Sequence, residues 1–171
     1  MRFKKCRRIS SLLCFFGLFS TTLSACENVE FAEFDFWVGQ WEVKLANGDT
    51  AGVNHITKSL TGCVLEEHYK GSTGYEGKSL NIYDKTTQQW HQTWVDNTGL
   101  LLQLNGEFKN KQMVMWGKGL DQAGKTVMHR IIWQPLSGQP SLKQTWQISH
   151  DQGIKWEVVF EGDYYKIDPS K

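Results

Sequence analysis

Few residues of this chain have types and spacings able to do chemistry. Glu66 and His68 stand two apart, so an extended strand puts both on one face. A carboxylate beside an imidazole can work as an acid/base dyad or begin a metal site. No third partner accompanies the pair, so a solvated or structural role stays open. The five histidines, His55, His68, His91, His129 and His150, include no His-x-His or His-Glu-x-x-His spacing. The sequence therefore names no metal site and no cofactor. It also lacks a Gly-x-Ser-x-Gly elbow, a phosphate loop and a dinucleotide fingerprint. Arg130 lies in an otherwise apolar run. It suits either a cation–π contact in the fold or a salt bridge to a ligand carboxylate. Eight tryptophans offer flat faces for stacking, or simply core.

Charge divides the chain at Cys26. Arg2, Lys4, Lys5, Arg7 and Arg8 precede it, and all 18 acidic residues follow it. The net charge of +1 thus belongs to a precursor; beyond residue 25 it is −4. The part that folds therefore has no net basic charge with which to recruit nucleic acid. An apolar run from Ile9 to Leu23 follows the basic start. It is shorter than the roughly 20 residues a spanning helix needs and has the layout of a secretory signal peptide. Leu23-Ser24-Ala25-Cys26 resembles a bacterial lipobox. That resemblance implies cleavage before Cys26, lipidation of its sulfur and a membrane anchor. Glu27 then implies, by likeness to enteric sorting, the outer membrane, with the protein facing the periplasm. Cys6 and Cys14 leave with the leader. A lipidated Cys26 leaves Cys63 without a partner, as a small buried hydrophobe and with no internal disulfide.

The elements that must position these residues are strands. Residues 26–36 read as a tether with a helical turn near Val29–Phe36, and 168–171 as a tail. The domain spans 37–167. Within it, runs rich in aromatic and β-branched residues alternate with turn residues. Ten strands are expected at 40–46, 51–60, 62–70, 76–84, 87–96, 99–108, 111–119, 126–134, 141–149 and 154–165. Joints such as Asn47-Gly48-Asp49, Asp96-Asn97-Thr98-Gly99 and Gln122-Ala123-Gly124 are short, which makes successive strands antiparallel neighbours. Closure would remove both sheet edges. The expected fold is all-β, a single antiparallel up-and-down barrel of about ten strands. Such a barrel is wider than its side chains easily fill.

Phe34-Asp35-Phe36-Trp37-Val38-Gly39-Gln40-Trp41 resembles the opening of a lipocalin-like (calycin) family known as a domain of unknown function. The likeness continues through Gly77–Asp84, Gln89–Trp94 and Ser149–Glu157, covering roughly residues 33–165. The family turn Asp-Gly-Gly reads Asp151-Gln152-Gly153 here. The resemblance implies a barrel closed at one end by Trp37, Gly39 and Trp41, with Arg130 over the Trp41 ring. Calycin barrels mostly bind small apolar molecules, and a few bind haem. The barrel's likeness to nitrobindin's raises haem, but neither His129 nor His150 fits a haem motif.

Strand faces suggest a cavity lining of Glu66, His68, Trp90, Gln92, Trp94, Met115, Gln144 and Trp146. The expected function is an envelope lipoprotein binding a small hydrophobic or amphipathic molecule. Two alternatives stand beside it. One is a structural or protein-binding lipoprotein with a packed barrel. The other is an isomerase, cyclase or hydrolase acting on a hydrophobic substrate.

Overall fold

The computed structural model describes residues 26–168. The leader and the last three residues, with the expectations placed on them, lie outside the described residues. Ten strands form one closed antiparallel barrel: β1 (Gly39–Lys44), β2 (Thr50–Ser59), β3 (Val64–Gly71), β4 (Glu76–Asp84), β5 (Gln89–Asp96), β6 (Leu101–Lys109), β7 (Gln112–Leu120), β8 (Thr126–Pro135), β9 (Leu142–Ser149) and β10 (Glu157–Lys166). Each strand pairs with its sequence neighbours, and β10 returns to β1 through Trp41 opposite Lys166 and Lys44 opposite Asp163. The architecture is the expected all-β barrel and is consistent with a lipocalin-like fold.

Residues 26–36 are not a free tether. Two 3-10 turns, Val29–Ala32 and Asp35–Trp37, carry Phe31, Phe34 and Trp37 into buried positions. The Phe34 ring stacks on Trp37 at 4.8 Å and meets Trp133 at 5.2 Å and Trp90 at 5.6 Å. Below and around them lie Ile56, Leu65, Leu104, Met113 and Met115. Each such buried side chain contributes about 1.5–3 kcal/mol. The N-terminal segment therefore closes one end of the barrel as an aromatic plug.

Trp41 completes this end by donating its indole N–H to the Trp37 carbonyl at 2.8 Å. Gly39 has φ 141°, a conformation that side chains rarely adopt, and a Cβ there would meet the Lys166 stem at 3.0 Å. Lys166, not Arg130, lies over Trp41, at 5.4 Å. Strand parity explains the correction. His129, Ile131 and Trp133 are the buried face of β8, so Arg130 faces outward. There it covers the Trp156 ring at 4.0 Å and donates Nε to Gln147 at 2.8 Å.

The cysteines correct a second expectation. Cys26 and Cys63 form a disulfide that joins the plug to the turn between β2 and β3. Cys63 is therefore partnered, and its partner is the cysteine read as the lipid site. One sulfur cannot hold a lipid thioether and this bond together. The crosslink closes a separation of 37 residues, for which chain entropy gives a stabilisation of about 4 kcal/mol. Replacing Cys63 by Ser should lower the unfolding free energy in urea by about 2–4 kcal/mol. An unchanged midpoint would show that the plug needs no staple.

Candidate functional site

Three layers fill the barrel from the closed end upward. The aromatic plug is the first. The second is a layer of buried polar side chains on inward positions of β2 to β5: Asn54, Glu67, Ser79, Asn81 and Gln92. The third is a cavity of about 990 Å³ that opens at the other end. Its volume stands at the top of the range for small-molecule sites.

Glu67 is at the centre of the polar layer and lines the cavity floor. Its two carboxylate oxygens accept from Asn54 Nδ2 at 2.8 Å and Ser79 Oγ at 2.6 Å. The donors run toward it in series. Gln92 donates to Asn81 at 2.8 Å, Asn81 donates to Ser79 at 2.8 Å, and Ser79 donates to Glu67. Asn54 also reaches the Tyr164 hydroxyl at 3.3 Å, and that hydroxyl donates to Gln144. Among the described residues, no Lys, Arg or His forms an ion pair with Glu67. Burial consequently pushes its pKa up to about 7, against the lowering effect of the Ser79 and Asn54 bonds.

Above this floor the wall has two characters. Tyr69, Tyr75, Trp94 and Asp96 come from β3 to β5 and the turn entering β4. Tyr75 lies 6.1 Å from Tyr69 and is stacked at 6.4 Å from Trp94. Both Tyr75 Oη (2.8 Å) and Trp94 Nε1 (3.1 Å) donate to Asp96. Burial works against the Asp96 charge, but bonds from Thr98, Tyr75 and Trp94 prevail and hold its pKa low. Burial, then the neighbouring Asp96 carboxylate, raises the Tyr75 phenol. Trp94 lies flat because Gly77 faces it: a Cβ there would stand 2.1 Å from the indole. The facing wall, from β8 to β10, presents His129, Ile131, Trp146, Ile148 and Phe160. Trp146 donates Nε1 to His129 Nδ1 at 3.1 Å, and burial lowers the His129 pKa, so its imidazole is neutral at pH 7.

Four of the eight residues expected to line the cavity do so: Gln92, Trp94, Gln144 and Trp146. Trp90 and Met115 point inward too, but belong to the packed closed end. Trp90 there donates to Glu33 at 3.3 Å. Glu66 and His68 face outside, which removes the expected acid/base dyad. His68 instead pairs with Glu76 at 2.5 Å on the outer surface. In β3 the inward residues are Leu65, Glu67 and Tyr69. Sequence reasoning missed Glu67, Tyr69, Tyr75, Asp96 and Tyr164. The available signal was Leu65 and Tyr69 in phase with Glu67, opposite the small polar residues Ser79 and Asn81. Among the described residues no three His, Cys, Asp or Glu side chains form a metal-ligand group. No family model and no curated protein matches this chain.

The Glu67 carboxyl makes stability depend on pH in an unusual direction. The folded chain keeps this proton up to about pH 7, whereas an ordinary carboxyl releases it near 4.5. The unfolded state thus binds fewer protons in that window, and stability falls as pH rises from 4.5 to 7. The full effect is about 3 kcal/mol. Glu67→Gln should lose this slope and gain up to about 3 kcal/mol over the parent at pH 8, with little gain at pH 4.5. Urea titrations of both forms measure it, and parallel curves from pH 5 to 8 would refute the assignment.

Proposed function

We propose that this chain is an exported barrel of the cell envelope that binds one small amphipathic molecule in its open cavity. The observation that carries the proposal is the cavity itself, about 990 Å³, with a hydrogen-bonded carboxyl at its floor and aromatic walls. A barrel serving only as a structural part has no use for an unfilled interior above a buried acid. Binding sites need a concave apolar surface with a few fixed polar groups, and this cavity has both. Enzymatic turnover has less support, since Glu66 and His68 stand outside.

Location belongs to the same proposal. The basic and apolar start of the chain supports export, and the Cys26–Cys63 bond suits an oxidising compartment. A lipid on Cys26 and the bond to Cys63 exclude each other. We therefore favour a disulfide-closed barrel in the periplasm over an outer-membrane anchored form. Intact mass of the exported chain decides between them: the disulfide form starting at Cys26 weighs two hydrogens less than its reduced chain, and an acylated form is heavier by its lipid.

Binding is testable with 1-octanol as the probe, because Trp94 and Trp146 line the cavity and report occupancy by fluorescence. The expected result is saturable quenching at one octanol per chain. Ile131→Trp, which fills part of the cavity from β8, should weaken binding tenfold or more without lowering the melting temperature. Equal binding by that variant would place the octanol site elsewhere.

A further inference from the structure

The cavity walls differ in charge as well as in shape. Glu67, Asp96 and Asp121 are its ionisable carboxyl groups, and its lining contains no Lys or Arg. Its one histidine, His129, is neutral, 3% exposed, and tied through Nδ1 to Trp146. An anionic ligand would meet three carboxyl groups and no fixed cation.

The acids and the rings are also arranged together. Glu67 and Asp96 belong to β3 and β5, strands that flank β4 in the barrel. The rings of Tyr69, Tyr75 and Trp94 belong to the same wall, and two of them donate hydrogen bonds to Asp96. A ring face carries negative quadrupole density, and cations are attracted to it, most strongly when desolvated. Glu67 is 6% exposed and has no counter-ion among the described residues. A buried carboxylate without a cation is an incomplete pair. The opposite wall, with Ile131, Ile148 and Phe160 beside Trp146, carries most of its surface as apolar groups and no ionised side chain.

We propose that the ligand is an organic cation: an amine or quaternary ammonium head held between Glu67 and the Tyr69–Tyr75–Trp94 wall, with an apolar body against β8 to β10. This rests on the small-molecule reading above and names its ligand class. The head supplies the charge that Glu67 lacks, and the body covers the apolar wall. Tyr69, Tyr75 and Tyr164 also face Glu67, but burial raises all three phenols, so none competes as a charge near neutrality. Asp96, held ionised, faces the same space.

The test compares three probes with one tail on the full exported chain, freed of bound molecules: octyltrimethylammonium, 1-octanol and octanoate. Affinity is read by tryptophan fluorescence and calorimetry. The cation should bind at least tenfold more tightly than octanol, and octanoate more weakly than octanol. The preference should grow from pH 5.5 to 8, because the quaternary head does not titrate and Glu67 does. Glu67→Gln should lower the cation-to-octanol ratio about fivefold or more at pH 8 and remove its growth with pH. Saturable octanol binding with no cation preference in the parent would overturn this inference and leave the small-molecule reading standing. If none of the three binds, the small-molecule reading fails and this inference falls with it.

Discussion

A closed antiparallel sheet of ten strands has a circumference that its own hydrogen bonds set, and its interior is wider than side chains can fill from the walls alone. Every other feature of the molecule answers that constraint. One end is filled by bringing in a segment from outside the sheet. Phe34 and Trp37 enter between Trp90 and Trp133, where four large rings meet within 6 Å centroid distances. The Cys26–Cys63 bond and the Trp41–Trp37 hydrogen bond hold that segment in place. The other end receives no such segment. The cavity is the part of the barrel that the plug does not reach.

Between plug and cavity the barrel must change from dry packing to a space that admits polar groups. The polar layer makes that change. Asn54, Ser79, Asn81 and Gln92 are each buried, and each is hydrogen-bonded to another member of the layer or to backbone. Their donors converge on one acceptor, Glu67, so the layer has a polarity of its own. It points negative density up into the cavity. Inward glycines beneath the rings extend the same logic. Gly77 lets Trp94 lie against the wall, and Gly119 leaves the room that His129 occupies, since a Cβ there would stand 2.7 Å from Nε2. The shape of the cavity is set as much by missing side chains as by present ones.

The strands were legible because their turns carry distinctive chemistry. Asn47-Gly48, Asp96–Gly99 and Asp121–Gly124 all occur at loops, with glycine in the left-handed region at each. The inward faces of β5 and β9 were legible too, because Trp90-x-Gln92-x-Trp94 and Leu142-x-Gln144-x-Trp146 repeat with period two. In β3 the period is blurred by the doublets Val64-Leu65 and Glu66-Glu67, which offer each face one apolar and one acidic residue. A slip of one residue there exchanges Glu67 for Glu66 and the cavity for solvent. In β10 a register shift between Val158 and Phe160 breaks the alternation that would have predicted Phe160 from Val158. The plug was legible only in part: the resemblance put Trp37 at the closed end, whereas Phe31 and Phe34 were read as tether. Its rings pack against residues 52 to 99 positions away, from Tyr83 against Phe31 to Trp133 against Phe34, and no local pattern encodes such contacts. The pairing of Cys26 was hidden because a lipobox-like tetrapeptide accounts for that cysteine without reference to Cys63.

The buried acid gives the structure its functional direction. Ionised and unpaired, Glu67 destabilises the empty barrel near and above neutral pH, and two neutral hydrogen bonds only partly offset the loss of hydration. A core assembled for stability alone would hold an amide or an apolar residue at this position. Retaining a carboxylate there is intelligible if its missing partner arrives from solution. The energy withheld in the empty state is then released on binding, and it is released only to a partner of the right charge. Selectivity follows from the same term: an uncharged molecule gains the apolar walls without relieving the acid, and an anion worsens it. On this account the defect in the core and the specificity of the site are one feature.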